Sequence, residues 1–421
     1  MPILTNVDDL TTRMRLHDDV YAAGDLLLHA GKELNAADVD YLRKRCPNAS
    51  VSIEDPVLDS LIAFEDDSAD RAVAFRTQKQ LCHLLQNVHE TFGPRMTVRS
   101  LDCRGVQQAV AGTLDYLNNN PVMAMTLIQQ PGPDQHCLVD HSAHVFYLSL
   151  VMGNTVRSRI TEARRKDRNK RFLQPAADIN LTPLALAALF MDLGMWPIRN
   201  LFEQKESLTV EQIQQIRNHP IVSARALPED AGELTHLIVE THHENFDGTG
   251  YPYGLRGEEI HIYARMLRIA DAFAAATAKR LYREAISPVR ALWEMTWGPY
   301  HQFYDPILLK VFARLVQPFP IGAKVGLNDG RQAVVVNYGV KTPFLPEVVI
   351  AFDEHGARLP PDRLGKPMRL DEDSDVRIAS FQGEDIGDLY DRDTQIATPT
   401  SGEFTTLFES VTTGCAMARP K

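Results

Sequence analysis

Apolar positions along the chain change their spacing twice, and the three textures predict three kinds of structure. Over residues 1–90 they form short runs between turns: Val20-Tyr21 before Ala22-Ala23-Gly24-Asp25, then Leu26-Leu27-Leu28, then the helix-like stretch Asn35 to Lys44. Strand-length runs beside one helical period predict a small α/β unit, with the acidic stretch Glu65–Asp70 as a linker at its end. Over residues 91–315 the spacing becomes helical, with long stripes such as Val145–Met152 and Leu184–Phe190. Over residues 316–395 short β-branched runs return, Ala333–Val336 and Glu347–Phe352 among them, and the turn Asp329-Gly330 predicts a hairpin. Residues 396–421, rich in Thr, Ser and Gly, show little periodicity and are expected to be poorly ordered. The fold class read from this pattern is mainly α, with a small N-terminal α/β unit and a small β-rich C-terminal appendage.

Composition adds exclusions. With 421 residues, 44% apolar and 24% charged, the chain has room for two or three domains and an ordinary core. A net charge of −11 argues against nonspecific binding to nucleic acid polymers, which needs clustered cations, but leaves room for a small anionic ligand. The one basic run, Arg164–Arg171, reads as a solvated loop. Five cysteines (Cys46, Cys82, Cys103, Cys137, Cys415) include no CxxC pair, which suits reduced thiols. The N-terminus lacks a basic stretch followed by an apolar run, and no window reaches the roughly 18 apolar residues of a membrane span. A cytoplasmic protein is expected.

The chemistry begins with two carboxylates placed where packing should forbid a charge. Asp192 lies within Leu184–Trp196 and Asp271 within Leu267–Ala276, both apolar on nearly every face. A buried carboxylate must be paired, hydrogen-bonded or bound to metal, and pairing with a nearby arginine would suffice for either alone. Histidines enlarge the choice: His141 precedes Ser-Ala-His144, His219 precedes Pro220, and His242-His243 end a helix-like run. Imidazoles with carboxylates suit Mn, Fe or Zn, and a pair of such metals can clamp a phosphodiester. Lone histidines such as His236, His261 and His301 are expected to be ordinary core or surface residues.

The run His242-His243-Glu244, Asp247-Gly248, Gly250-Tyr251-Pro252, Gly254-Leu255 and Gly257 resembles the signature of the HD-GYP family. The order and rough spacing of His141, Glu211, His219-Pro220, Arg265, Ala270-Asp271 and Arg280-Leu281-Tyr282 agree, so the resemblance covers about residues 125–315. It implies an HD-domain helical bundle holding two metals, Fe or Mn, that hydrolyses the bacterial second messenger cyclic di-GMP. Carried over by position, one metal would use Asp192, His219, His242 and His243, and the other His141, Asp271 and the bridging Asp192, which is the catalytic position. Gly250, Tyr251, Pro252 and Arg280 would meet the ligand. A diguanylate cyclase domain is a further partner that the resemblance suggests.

The family's His-Asp pair followed by Gly-Lys stands here as Met191-Asp192-Leu193-Gly194-Met195. One ligand imidazole and one phosphate-side ammonium are both methionine. Read as positions i and i+4 of a helix they share one face, which has turned apolar. A thioether replaces imidazole poorly for Mn or Fe, so one metal site should be weakened and one or two metals bound per chain. Cys137 stands where relatives with a third metal carry Glu, so no third metal is expected. His144, one turn beyond His141, is a conceivable substitute ligand. Two readings stay open: a cyclic di-GMP phosphodiesterase of low activity, or a catalytically inactive receptor or protein-interaction module. Hydrolysis of another nucleotide is a third.

Overall fold

The computed structural model describes residues 3–17, 19–22, 25–46, 50–54, 111–112, 137–166, 179–202, 208–278, 286–339, 343–353, 356, 359–372 and 375–390. The linker Glu65–Asp70, the tail 396–421, most of the basic run and Arg280 lie outside them. The chain divides into two units, one from Met1–Ser68, Ser287–Arg290 and Val316–Ile396, the other from Ala69–Ile286, Ala291–Leu315 and Ala397–Lys421. The mainly α class with a β-rich C-terminal part is borne out. Among the described residues no helix is long and apolar enough to cross a membrane.

In the first unit, β1 (Ile3–Asn6) pairs antiparallel with β4 (Ser50–Ile53), and β2 (Val20–Ala22) with β3 (Asp25–Leu28). Helix α1 (Ala36–Arg45) starts where the sequence offers a capping box: the Asn35 side chain accepts from the Asp38 amide and the Asp38 carboxylate accepts from the Asn35 amide. Its buried face, Val39 and Leu42, closes on Val7, Leu10, Leu16, Leu34, Val51 and Ile53. The remaining strands are β5 (Lys324–Leu327), β6 (Gln332–Asn337), β7 (Glu347–Phe352), β8 (Met368–Arg369), β9 (Ile378–Phe381) and β10 (Glu384–Asp385). They form one antiparallel sheet in the order β10-β9-β5-β6-β7-β8. Gly330, at φ 85°, closes the β5–β6 hairpin where the Asp-Gly pair predicted a turn. In the same unit Arg290 donates to the carboxylates of Glu384 and Asp388 and to the Asp385 carbonyl.

The helical unit carries α2 (Cys137–Lys166), α3 (Thr182–Phe190), α4 (Val210–Arg217), α5 (His219–Ala226), α6 (Glu233–Thr241), α7 (Ile262–Thr277), most of α8 (Pro288–Trp297) and α9 (Pro306–Leu315). Helix α3 is buried on every side from Leu184 to Phe190, as its unbroken apolar run requires. It packs between α2 and α6, while α7 lies along α2. A 3-10 helix over Leu193–Phe202 follows α3 and packs on α5. These contacts bring the end of α3, the start of α5 and the end of α6 toward the N-terminal part of α2 and the middle of α7.

Two polar devices hold α7 and α9. Asp305 accepts from the amides of Ile307 and Leu308, capping α9, and takes an ion pair from Arg265 of α7 at 2.6 Å. Both side chains are almost fully buried, so removing one strands a charge. His261 caps α7: its Nδ1 accepts the Tyr263 amide at 3.2 Å, which requires a neutral ring. Burial, with Arg265 close by, lowers its pKa from 6.5 to about 4.

Asp305→Ala should therefore lower stability by roughly 3–5 kcal/mol, read as a fall in the urea midpoint; a loss below about 1 kcal/mol would refute a buried pair. The His261 cap makes a pH prediction. Because the folded pKa lies below the unfolded one, the unfolded chain takes up the proton first, so stability is full above pH 6.5 and falls as pH drops toward 4. His261→Asn keeps an acceptor but does not titrate, and should remove most of that acid loss, which is on the order of 3 kcal/mol. An unchanged slope would contradict the neutral cap.

Candidate metal centre

Five elements each deliver part of one buried cluster. His141 comes from α2, Asp192 from the turn after α3, His219 from the first position of α5, His242 and His243 from the end of α6, and Asp271 from the middle of α7. All except His243 are buried, and His243 is partly so. The Asp192 carboxylate faces two imidazoles, with Oδ1 3.3 Å from His219 Nε2 and Oδ2 3.6 Å from His141 Nε2. Asp271 repeats the arrangement, with Oδ1 3.0 Å from His141 Nε2 and Oδ2 3.7 Å from His243 Nδ1. The result is a continuous run, His219–Asp192–His141–Asp271–His243, in which each carboxylate is shared. Arginine pairing is secondary: Arg268 Nη1 lies 3.9 Å from Asp271.

The histidine tautomers make this cluster suitable for a cation. His219 and His242 each present Nδ1 to a backbone carbonyl three residues back, Ile216 and Val239, at 2.6 Å. Donation of Nδ1–H to those carbonyls leaves Nε2 with its lone pair, the state in which imidazole ligates a metal. The two Nε2 atoms face each other at 3.2 Å, and ligand atoms of His219, His242 and His243 all lie within 4.8 Å of one another. Lone pairs converging in a buried space favour a bound cation over an empty one. The residues present thus fit a divalent metal.

Electrostatics agree with that fit. Burial alone would raise the pKa of Asp192, but the close approach of His219 and the neighbouring His141 and His242 outweigh it and hold the carboxyl well below its usual range. Asp271 is likewise held low, burial being overcome by the His141 hydrogen bond and by His243, His141 and Arg268. Burial, with His219 beside it, pushes His242 down to about 4, and burial with His242 beside it pushes His243 well below 6.5. The carboxylates stay charged, and His242 and His243 stay neutral. Both are ligand forms.

Beside the cluster the Gly-Tyr-Pro loop is held by Glu244, a residue the sequence motif contained without a stated role. Its carboxylate accepts from the amides of Tyr253 at 2.7 Å and Leu255 at 3.0 Å. Gly250 admits no side chain, since a Cβ there would enter the backbone of Glu244 and Asn245. The Tyr251-Pro252 bond is cis, and the Tyr251 ring stacks on His243 with centroids 4.8 Å apart and planes inclined by 22°. Arg280 lies outside the described residues.

Gly194 was also silent in the sequence. Its Cβ position lies 2.6 Å from the His219 carbonyl oxygen, and its amide donates to Ser223 Oγ at 2.8 Å, so only glycine lets the segment after Asp192 approach α5. This contact corrects the expected placement of the two methionines. Helix α3 ends at Phe190 and the 3-10 helix starts at Leu193, so Met191 and Met195 flank a break in the helix and do not share one α-helical face. Both are buried, Met191 completely. The histidines left aside are structural: His236 meets the carbonyls of Ala224 and Pro228, His301 that of Gly298, and His261 caps α7. His144 is half-buried, three residues beyond His141 on α2.

Residues 169–308 match the protein family described as HD domain. A cyclic di-GMP phosphodiesterase of Pseudomonas aeruginosa is 32% identical over 171 residues, which is 40% of this chain and 41% of that protein. Another, of Borreliella burgdorferi, is 31% identical over 147 residues, 35% of this chain and 38% of its own. A 3'3'-cGAMP-specific phosphodiesterase of Vibrio cholerae is 32% identical over 125 residues, 29% of this chain and 27% of that protein. The matched stretch thus spans about two fifths or less of the length of these relatives. The stretch matched by the family holds the glycine-rich loop and every residue of the carboxylate-imidazole cluster except His141, and over it the helical unit is similar to HD domains of cyclic di-GMP phosphodiesterases.

Proposed function

We propose that the helical unit is a metal-dependent phosphohydrolase that cleaves cyclic di-GMP slowly, in the cytoplasm. The observation that carries this reading is the pair of buried carboxylates, each shared between two imidazoles, beside imidazole lone pairs that converge. One metal, Fe or Mn, would be held by Asp192, His219, His242 and His243, and a second, weaker one by His141, Asp271 and the shared Asp192. Such ions supply Lewis-acid charge to a phosphodiester and lower the pKa of water. The protein's own part is positional. His219 and His242 are locked by backbone carbonyls, Asp192 stays ionised at low pH, and Glu244 keeps the loop of Gly250, Tyr251 and Pro252 against His243. Arg280 is a proposed ligand contact by resemblance. The exposed Tyr253 on the same loop gives a protein partner, such as a diguanylate cyclase domain, a surface to meet.

Low activity is proposed because Met191 and Met195 are buried and neutral where an imidazole and an ammonium are expected. The same observation favours the second reading, a receptor that binds cyclic di-GMP without cleaving it. Chromatography of cyclic di-GMP incubated with Mn or Fe under reducing conditions separates the two. The hydrolase reading expects slow product formation that Asp192→Ala abolishes, and product absent or independent of Asp192 would defeat it. Running 3'3'-cGAMP in parallel tests the choice of cyclic dinucleotide, which should favour cyclic di-GMP. In the double variant Met191→His, Met195→Lys the rate should rise at least tenfold; no gain would show that the methionines do not limit it.

A further inference from the structure

We infer that Arg217 is a phosphate-binding residue of this site, an inference that rests on the cyclic-dinucleotide reading and adds a residue to it. Arg217 ends α4, two residues before the cluster histidine His219, and is exposed. Its guanidinium carbon lies 5.6 Å from the centroid of the Tyr251 ring, within cation–π range. Tyr251 is itself stacked on His243. The arginine is therefore one ring removed from a candidate metal ligand, on the loop proposed to meet the ligand. Among the described residues no carboxylate pairs with it.

The contrast with Arg268, the other arginine of the cluster's surroundings, makes the assignment specific. Arg268 is committed: its Nε donates to Asn245 Oδ1 at 2.9 Å, its Nη1 faces Asp271, and it lies over the Tyr304 ring. Arg265 is paired with Asp305. Arg217 alone of these three keeps its donor edge unclaimed by a carboxylate among the described residues. A guanidinium laid near an aromatic ring retains in-plane N–H groups that match two phosphate oxygens. Met195, on the segment that Gly194 packs against His219, offers no charge there. A cyclic dinucleotide carries two phosphodiesters, and with one at the metal cluster the other needs a cation set apart from it. Arg217 supplies that cation, and its role is binding and not bond cleavage.

The test uses the full chain loaded with Mn, cyclic di-GMP as the probe, and the variants Arg217→Gln and Arg217→Lys. Arg217→Gln should bind cyclic di-GMP at least tenfold more weakly, by calorimetry, with metal content and thermal midpoint unchanged because the side chain is exposed. Arg217→Lys should recover part of that loss, since the charge returns without the planar fork. If product forms, the loss should appear in KM and leave kcat within about twofold. Equal affinity of the unaltered protein and Arg217→Gln would overturn the assignment and leave the functional reading standing. Loss of metal with Arg217→Gln would also overturn it, marking a structural role. Failure of the unaltered protein to bind cyclic di-GMP would bring down both.

Discussion

Two buried aspartates set the terms for the helical unit. A carboxylate taken out of water is costly unless neighbours replace its hydration. Asp192 and Asp271 meet that demand by sharing His141 and by each taking a second imidazole, His219 or His243. Because these groups come from α2, the end of α3, α5, the end of α6 and α7, the cluster is satisfied only when five elements are docked. The packing of α3 between α2 and α6, the Gly194 approach to α5 and the Asp305 cap on α9 all serve that convergence. Fold and site are thus one construction.

Much of this was legible in the residues. A charge inside an unbroken apolar run flags burial, and two such charges with scattered histidines flag a shared centre. The helical texture around Leu184–Phe190 and the Asp-Gly hairpin at 329–330 followed from period and turn chemistry, as did the Asn35 helix start. The glycine-rich signature carried the resemblance to the HD-GYP family. What the residues could not reveal were features that depend on distance across the fold. The helix break at Met191–Leu193 stands beside the contact between Gly194 and the His219 backbone, a partner distant in sequence, and no local propensity announces it. Glu244 as the loop's clamp and Arg217 over Tyr251 are equally nonlocal.

Beside Met191 and Met195 the other residues of the cluster are firmly placed. Nδ1 of His219 and His242 is still tied to backbone carbonyls, and those bonds hold the rings whether or not a metal is present. The surviving set is unequal: three imidazoles converge on one side, while the other relies on His141 and Asp271 with Asp192 shared. Unequal donor sets imply unequal affinities. A centre with one firm and one loose ion is the proposal this arrangement favours, and slow hydrolysis is what that proposal expects.

The central claim is that the shared carboxylates and converging imidazoles form a metal centre with one strong position. Titration of metal-free protein with Mn, following free ion by electron paramagnetic resonance, tests it most directly. One tight ion per chain, a second bound at least tenfold more weakly, and loss of both in Asp192→Ala are the results expected. No tight binding, or binding indifferent to Asp192, would contradict the account.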